Sequence, residues 1–336
     1  MKKMGFLLLC CCLQYGCTGV AQKKINGLSF VATREKATQA QVDEVVRMHA
    51  NATAVMPFGF MRSTDDPEIV FNTDRQWFGE TTEGARQYMD LLQNNGLHIM
   101  LKPQIWVWRG AFTGTIAMQT EEDWKKLEAS YERFILAYAQ LAQEQNVPLF
   151  CIGTELGQFV GSRPDYWSRL IAKIRAVYHG QLTYAANWDE YEEVPFWPLL
   201  DYVGIDAYFP LSDAKTPTLE QLKQGWQPWK ENMAALSGAM DRPVIFTEFG
   251  YRSIDFTAKA PWKANRSDDL PNLSAQANAK TAIFEVFWNE KWFGGGYIWK
   301  WFPEHKASGG HTDNRFTPQN KPAENVVLKH YKAFGE

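Results

Sequence analysis

The chain has 336 residues, which is enough for one large domain or two small ones. Hydrophobic residues make up 45% of the sequence and charged residues 22%, and both values are ordinary for a globular protein with a sizeable core. The formal net charge is −3, so the composition indicates no strongly charged partner, and we expect no binding to nucleic acid.

Residues 1–17 have the features of a signal peptide. Two lysines precede an apolar run over residues 6–13, and Gly16-Cys17 follows where a signal peptidase would cut. A small residue directly before Cys17 is typical of a bacterial lipoprotein signal, in which Cys17 becomes the lipidated first residue. The apolar run is too short to span a bilayer. We therefore expect export to the periplasm, the outer membrane or the cell surface, with a lipidated Cys17 as the only membrane attachment.

From residue 25 onward, strand-like and helix-like patterns alternate with little interruption. The predicted strands cover residues 25–33, 52–60, 97–106, a run from Leu149, 181–188, 202–209, a run from Pro243, and 296–302. The predicted helices cover residues 39–49, 82–94, 121–145, 165–178, a short stretch after the fifth strand, 219–240, 275–289 and 325–334.

Eight strands that alternate with about eight helices predict an α/β fold, a single-domain (β/α)8 TIM barrel over residues 25–335. An open doubly wound sheet would usually carry a glycine-rich phosphate loop after its first strand, and the sequence has none. In parallel barrels the active site lies at the C-terminal ends of the strands. The residues that close each strand are therefore the candidates for function.

Two of the predicted strands end at a Thr-Glu step. The fourth strand, LFCIGTE, ends on Glu155, and the seventh, PVIFTEFG, carries Glu248. A lone glutamate at a strand end is more often a structural ion-pair partner than a catalyst. Two of them at one barrel mouth supply the proton donor and the nucleophile or base that hydrolysis of a glycosidic bond requires. We therefore predict Glu155 and Glu248 as catalytic residues.

Aromatic and polar residues close the remaining strands, as expected for a carbohydrate cleft. The sequence holds 14 Trp and 13 Tyr, and flat aromatic faces suit stacking against sugar rings. We expect substrate contacts from the side chains of Lys102, Trp106, Asn187, Trp188, Asp206, Tyr208, Tyr251 and Trp299. Alternatives stay open for three of them: Lys102 could pair with Glu155 or Asp206, Asp206 could be a structural acceptor, and Trp106 could be part of the core.

The segments around both glutamates resemble a known family. IGTEL, FTEFGY and YIW match clan A glycoside hydrolases, most closely glycoside hydrolase family 113, the β-mannanases, and the resemblance spans roughly residues 25–335. It implies a retaining double displacement with Glu155 as acid/base and Glu248 as nucleophile. It further implies that Tyr208 hydrogen-bonds the nucleophile and that Trp299 floors the subsite at the cleaved bond. Thr154 departs from the pattern, since most clan members place there an Asn that contacts the sugar 2-hydroxyl.

The predicted activity is cleavage of β-1,4-mannosidic linkages in mannan or mannooligosaccharides, with an oligo- or polysaccharide as the partner of a monomeric protein. Two alternatives stay open: a clan A hydrolase acting on another β-linked glycan, and a surface lipoprotein that binds glycans without cutting them. No cofactor is expected. No metal is expected either, because the histidines lack His-x-His or His-Glu-x-x-His spacing.

Overall fold

A computed structural model of the protein describes residues 23–263 and 270–335. The signal peptide predicted for residues 1–17, with its Cys17, lies outside the described residues. Within the described ranges, no helix combines the length and the apolar character needed to cross a membrane.

Eight parallel strands close into a barrel, as predicted. They are β1 (Ile25–Phe30), β2 (Ala52–Val55), β3 (His98–Leu101), β4 (Leu149–Thr154), β5 (Gln181–Asn187), β6 (Val203–Ala207), β7 (Val244–Phe249) and β8 (Phe293–Trp301). The strands follow one another around the barrel in chain order, and β8 pairs with β1 to close it. The C-terminal ends of all eight strands therefore meet at one mouth.

Helices cover the outside of the barrel. They are α1 (Gln39–Arg47), α2 (Thr82–Asn94), α3 (Glu121–Glu144), α4 (Gly157–Ser162), α5 (Pro164–Val177), α6 (Leu219–Met240), α7 (Leu273–Phe287) and α8 (Pro322–Gly335). The predicted bounds of α2 and α6 are reproduced, and the other predicted helices agree to within three residues at each end. The short α4, directly after the fourth strand, was not predicted. Behind β5 the chain forms only a 3-10 turn, Trp197–Leu199.

The second and third predicted strands are each interrupted by a proline. β2 ends before Pro57 and β3 before Pro103, because proline has no N–H to donate to the strand ladder. The chain then resumes in two short strands, Phe58–Met61 and Gln104–Val107, that pair in parallel with each other outside the barrel sheet. We call this pair the rim ribbon. It extends one side of the barrel mouth.

Alternate residues of the rim ribbon point to opposite sides. Gly59, Met61, Ile105 and Val107 are buried against the core. Phe58 and Phe60 are partly exposed on the other face, where they lie opposite Gln104 and Trp106. The ribbon therefore presents an aromatic face at the mouth, and the Trp106 side chain on it is 49% exposed. The alternative that Trp106 is a core residue is excluded.

Candidate active site

Glu248 lies at the C-terminal end of β7 and is almost buried, with 5% of its surface exposed. Its carboxylate accepts three hydrogen bonds from three different parts of the barrel. Lys102 Nζ and Gln104 Nε2 donate to Oε1 at 2.6 and 3.0 Å, and the Tyr208 hydroxyl donates to Oε2 at 2.7 Å. All three donors stabilise the charged form of the group. The Tyr208 contact is the one that the family resemblance implies.

A β-bulge in β7 directs Glu248 into the mouth. Ile205 and Asp206 of β6 pair with Phe246 and Glu248, so β7 contains one extra residue at this point, and the register against β8 shows the same insertion. Phe246 and Phe249, on either side of the bulge, both pack into the outer core. The two residues between them, Thr247 and Glu248, can then both face inward.

Lys102 and Asp206 form a buried ion pair below Glu248. The Lys102 side chain is fully buried, and its ammonium donates to Asp206 Oδ1 and Oδ2 at 3.0 and 3.1 Å. Thr247 Oγ1 donates a further bond to Asp206 Oδ1 at 2.7 Å. Burial opposes the charge on Lys102, but the carboxylates of Asp206 and Glu248 outweigh it and raise its pKa above the ordinary value.

The substrate contacts predicted for Lys102, Asp206 and Tyr251 are not supported. All three side chains are fully buried and have protein partners. Lys102 and Asp206 bind each other, which is the alternative left open for them, and the Tyr251 hydroxyl donates to Phe209 O at 2.9 Å. These residues support the site from below; they do not line it.

Glu155 follows β4 in an unusual backbone conformation. Its φ angle is +49°, in the left-handed region that non-glycine residues rarely adopt, and its amide donates to Ala185 O at 2.8 Å. Strain of this kind concentrates at functional sites. Like β7, β4 contains an extra residue close before its glutamate, between Cys151 and Thr154.

The carboxyl group of Glu155 holds its proton strongly. Burial raises its pKa well above the usual range, and the carboxylates of Asp206 and Glu248 raise it further, while the Lys102 ammonium opposes them. At neutral pH Glu155 is therefore a proton donor, whereas Glu248 is surrounded by three donors. Two carboxyl groups in such different environments are suited to opposite roles, one as acid and one as nucleophile or base.

The remaining predicted substrate residues lie at the barrel mouth in different settings. Trp299 is partly buried near the end of β8. Asn187 is nearly buried, and its amide donates to Asp189 Oδ1 at 2.8 Å. Trp188 stacks on Trp262, with ring centroids 4.7 Å apart, so one of its faces is covered by the protein itself.

Thr154, at the position of the clan's Asn, has a buried hydroxyl beside the Cys151 thiol. It therefore does not reproduce a sugar contact of the general clan type. Gln104 closes the third predicted strand in the same alternating series as Lys102 and Trp106, which makes it a candidate by position, but the sequence assigned it no substrate contact. Thr247 was not a candidate, because its inward direction depends on the bulge.

Exposed aromatic side chains concentrate around the mouth. Six aromatic residues in the described part of the chain are largely exposed, and all of them lie in segments that follow β2, β3 or β7: Trp77, Trp106, Trp108, Phe112, Phe256 and Trp262. Such faces suit stacking against sugar rings. Across residues 23–263 and 270–335, no cluster of three or more His, Cys, Asp or Glu side chains could hold a metal ion.

Cleavage of a glycosidic bond requires a carboxyl group that holds a proton and a carboxylate that attacks or activates water. The barrel carries one of each at its mouth: Glu155 at the end of the fourth strand holds a proton, and Glu248 at the end of the seventh accepts several hydrogen bonds. These features define the class of the protein as a TIM-barrel glycoside hydrolase. The sequence model of Glycoside Hydrolase Family 113 matches residues 30–321, and the chain belongs to this family.

Solved structures show the same fold. The family 113 β-mannanase of Alicyclobacillus acidocaldarius, in complex with ManMIm, has a TM-score of 0.81 at 24% identity, covering 93% of this chain and 98% of that chain. A family 113 β-1,4-mannanase in a complex has a TM-score of 0.80 at 23% identity, covering 93% and 99%. The β-glucuronidase of Faecalibacterium prausnitzii has a TM-score of 0.62 at 13% identity, covering 93% and 49%. No curated protein matches the chain at a significant level.

Proposed function

We propose that the protein is a retaining glycoside hydrolase that cleaves β-1,4-mannosidic linkages in mannan or mannooligosaccharides. The observation that carries the catalytic part of this proposal is the contrast between Glu155 and Glu248, one holding a proton and the other receiving three hydrogen bonds. Membership of family 113 and the likeness to solved β-mannanases support mannan as the substrate.

In the first step, a carboxylate oxygen of Glu248 attacks the anomeric carbon of the sugar at the cleaved bond. The bond from this carbon to the glycosidic oxygen breaks, and Glu155 gives its proton to the departing oxygen. The products of the step are the released part of the chain, whose sugar now carries a free 4-hydroxyl, and a glycosyl ester on Glu248. Lys102, Gln104 and Tyr208 fix the orientation of the nucleophile before the attack.

In the second step, Glu155 is a carboxylate and removes a proton from water. The water oxygen bonds to the anomeric carbon, the ester bond breaks, and Glu248 is released as a carboxylate. Two displacements at one carbon restore the β configuration. We expect the aromatic face of the rim ribbon and Trp299 to stack against sugar rings on the flanks of the reacting bond.

A defined panel of substrates tests this proposal. We expect hydrolysis of β-1,4-mannan and mannooligosaccharides, with the β anomer as the first product in proton NMR spectra recorded before mutarotation. A β-1,4-glucan and an aryl β-glucuronide are the control substrates, and neither should be cleaved at a comparable rate. An α anomer as first product contradicts the double displacement. Cleavage of the glucan in preference to mannan favours the first alternative, a clan A hydrolase that acts on another β-linked glycan. Binding of mannan without cleavage favours the second, a surface lipoprotein that binds glycans without cutting them.

We also propose export and lipidation at Cys17, on the basis of the pattern in residues 1–17. The full chain should appear in the membrane fraction of a bacterial host and carry a lipid on Cys17 by mass spectrometry. A Cys17→Ala variant that remains equally membrane-bound would contradict the lipid anchor.

A further inference from the structure

A third carboxyl group, that of Glu190, lies close behind the acid/base residue. Glu190 belongs to the turn that follows β5, where its amide donates to Asn187 O at 3.0 Å. Its carboxylate lies directly on the backbone of Gly157, and a Cβ atom built on Gly157 would overlap Oε1 and Cδ of Glu190. The carboxylate therefore occupies space that only glycine leaves free, two residues after Glu155.

This carboxyl group is partly buried in a cleft that is open to solvent on one side. Glu190, Gly157, Tyr184 and Glu193 contribute to the lining of a cavity of about 330 Å³ between α4 and the turn after β5. Glu190 Oε2 is buried and accepts no hydrogen bond from the part of the chain that the structure describes. A carboxylate that receives no compensating donor is easily protonated.

The charge of Glu190 changes in the neutral range. Burial raises its pKa to about 7, with further contributions from the carboxylates of Asp189 and Glu193 on the same loop. On β5, the Tyr184 hydroxyl accepts a hydrogen bond from Leu156 N at 2.7 Å and is itself held neutral by burial. The adjoining helix α4 carries no titratable side chain. Above neutral pH, Glu190 is therefore negative.

Four charged groups act on the carboxyl of Glu155 from different strands. Asp206 and Glu248 lie on β6 and β7, and Lys102 follows β3; hydrogen bonds from Lys102 join these three groups. Glu190 is the fourth and stands apart from that network, and its contribution is smaller than those of burial and of the other three groups. A negative charge on Glu190 disfavours a second negative charge on Glu155, and the partial burial of both residues reduces the screening of this effect by water.

We propose that Glu190 is a positioning residue of the active site: its carboxylate, seated on Gly157, strengthens the hold of Glu155 on its proton and extends the activity of the enzyme towards higher pH. The proposal rests on the proposed function, which makes Glu155 the proton donor. Glu190 itself need not touch the substrate.

The test is the variant Glu190→Gln, which keeps the shape of the side chain and removes its charge. The alkaline limb of kcat/KM reports loss of the proton from the acid in the free enzyme. Without the charge of Glu190, Glu155 loses its proton more readily, so this limb should shift to lower pH by up to about half a pH unit. The acidic limb should stay in place. An unchanged alkaline limb overturns the proposal.

Two further variants separate charge from structure. Glu193→Gln removes the same charge from the same cavity wall, but Glu193 is exposed and acts on Glu190, so the alkaline limb should move much less. Gly157→Ala keeps the charge of Glu190 but displaces it, and this variant should shift the limb in the same direction as Glu190→Gln. A Glu193→Gln shift as large as that of Glu190→Gln would overturn a specific role for Glu190.

A measurement without substrate distinguishes failure of this inference from failure of the proposed function. The carboxyl carbon of Glu155, assigned by comparison with Glu155→Gln, can be titrated by carbon NMR in the wild-type protein and in Glu190→Gln. A titration that moves to lower pH in the variant supports the coupling even if mannan proves not to be the substrate. Identical titrations in both proteins overturn the coupling even if mannan is cleaved.

Discussion

Replacing Glu248 by glutamine should lower kcat on β-mannan by at least about 10⁴-fold, the scale seen when a catalytic nucleophile is removed. An amide cannot form the glycosyl ester, so the first displacement is lost. The shape of the side chain is retained: the amide oxygen can accept from Lys102 at the position of Oε1, and the amide N–H at the position of Oε2 can donate to the Tyr208 hydroxyl oxygen. Binding of mannooligosaccharides, measured by calorimetry, should therefore persist. If Glu248→Gln hydrolyses mannan and every β-glucan tested at the wild-type rate, the mechanism is wrong.

Azide separates the roles of the two glutamates. In a Glu155→Ala variant, the covalent intermediate forms with an activated leaving group, and azide attacks it from the face of the missing acid/base to give a β-mannosyl azide. In a Glu248→Ala variant, azide takes the place of the nucleophile and gives an α-mannosyl azide. The two anomers are distinguished by proton NMR. The opposite assignment of products would exchange the roles of Glu155 and Glu248.

Replacing Lys102 by methionine should destabilise the fold by about 3–5 kcal/mol, because it leaves buried carboxylates without their cation. Asp206 would lose both bonds to the ammonium, and Glu248 would lose its shortest hydrogen bond. Activity should fall as well, since Glu248 would lose a donor that fixes the orientation of its carboxylate. The change is measured as the free energy of unfolding in urea, together with kcat on mannan.

The pH dependence of this loss has a defined sign. Burial and the neighbouring Glu248 already raise the pKa of Asp206 to about 7, and loss of the Lys102 ammonium raises it further above the unfolded value. The resulting penalty on the folded state is therefore complete only above neutral pH, and it declines as pH falls through the neutral range towards the ordinary carboxyl range near about 4. Unfolding curves at pH 7 and pH 5 should therefore differ less from wild type at pH 5.

Matched variants identify the cause of this destabilisation. A Lys102→Met, Asp206→Asn double variant removes one charge of each sign and should recover part of the lost stability, giving a favourable coupling in the double-mutant cycle. Lys173→Met removes a lysine whose ion pair with Glu132 lies at the surface, and it should leave stability unchanged. A double variant less stable than the sum of its single variants would contradict an ion-pair role for Lys102.

The order of strands and helices was predictable because its signals are local. Apolar runs mark the strands, and a threonine marks the start of helix α3: the Thr120 hydroxyl accepts from Asp123 N at 3.1 Å. Counting strands then placed Glu155 and Glu248 at the fourth and seventh positions. The interruptions of the second and third predicted strands at Pro57 and Pro103 are also readable from the sequence, because proline breaks a strand ladder, although the predicted strands run through both residues.

The direction of each side chain could not be predicted from the same signals. Strict alternation along β7 cannot place Phe246 and Phe249 in the outer core and also turn Thr247 and Glu248 inward, and only the pairing with β6 and β8 reveals the extra residue. The burial of Lys102 was hidden for a related reason. Its partners come from β6 and β7, and nothing near it in the sequence specifies them.

The bulge in β7 has a consequence for the inference of function from motifs. A homologous chain could keep both Thr-Glu steps and still lose one residue of the insertion, which would realign the strand with its neighbours and rotate the second glutamate away from the mouth. Such a chain would contain every residue that marks a hydrolase and would cleave nothing. Predicting catalysis from the two motifs in a related sequence therefore requires counting the residues of this strand as well as identifying them.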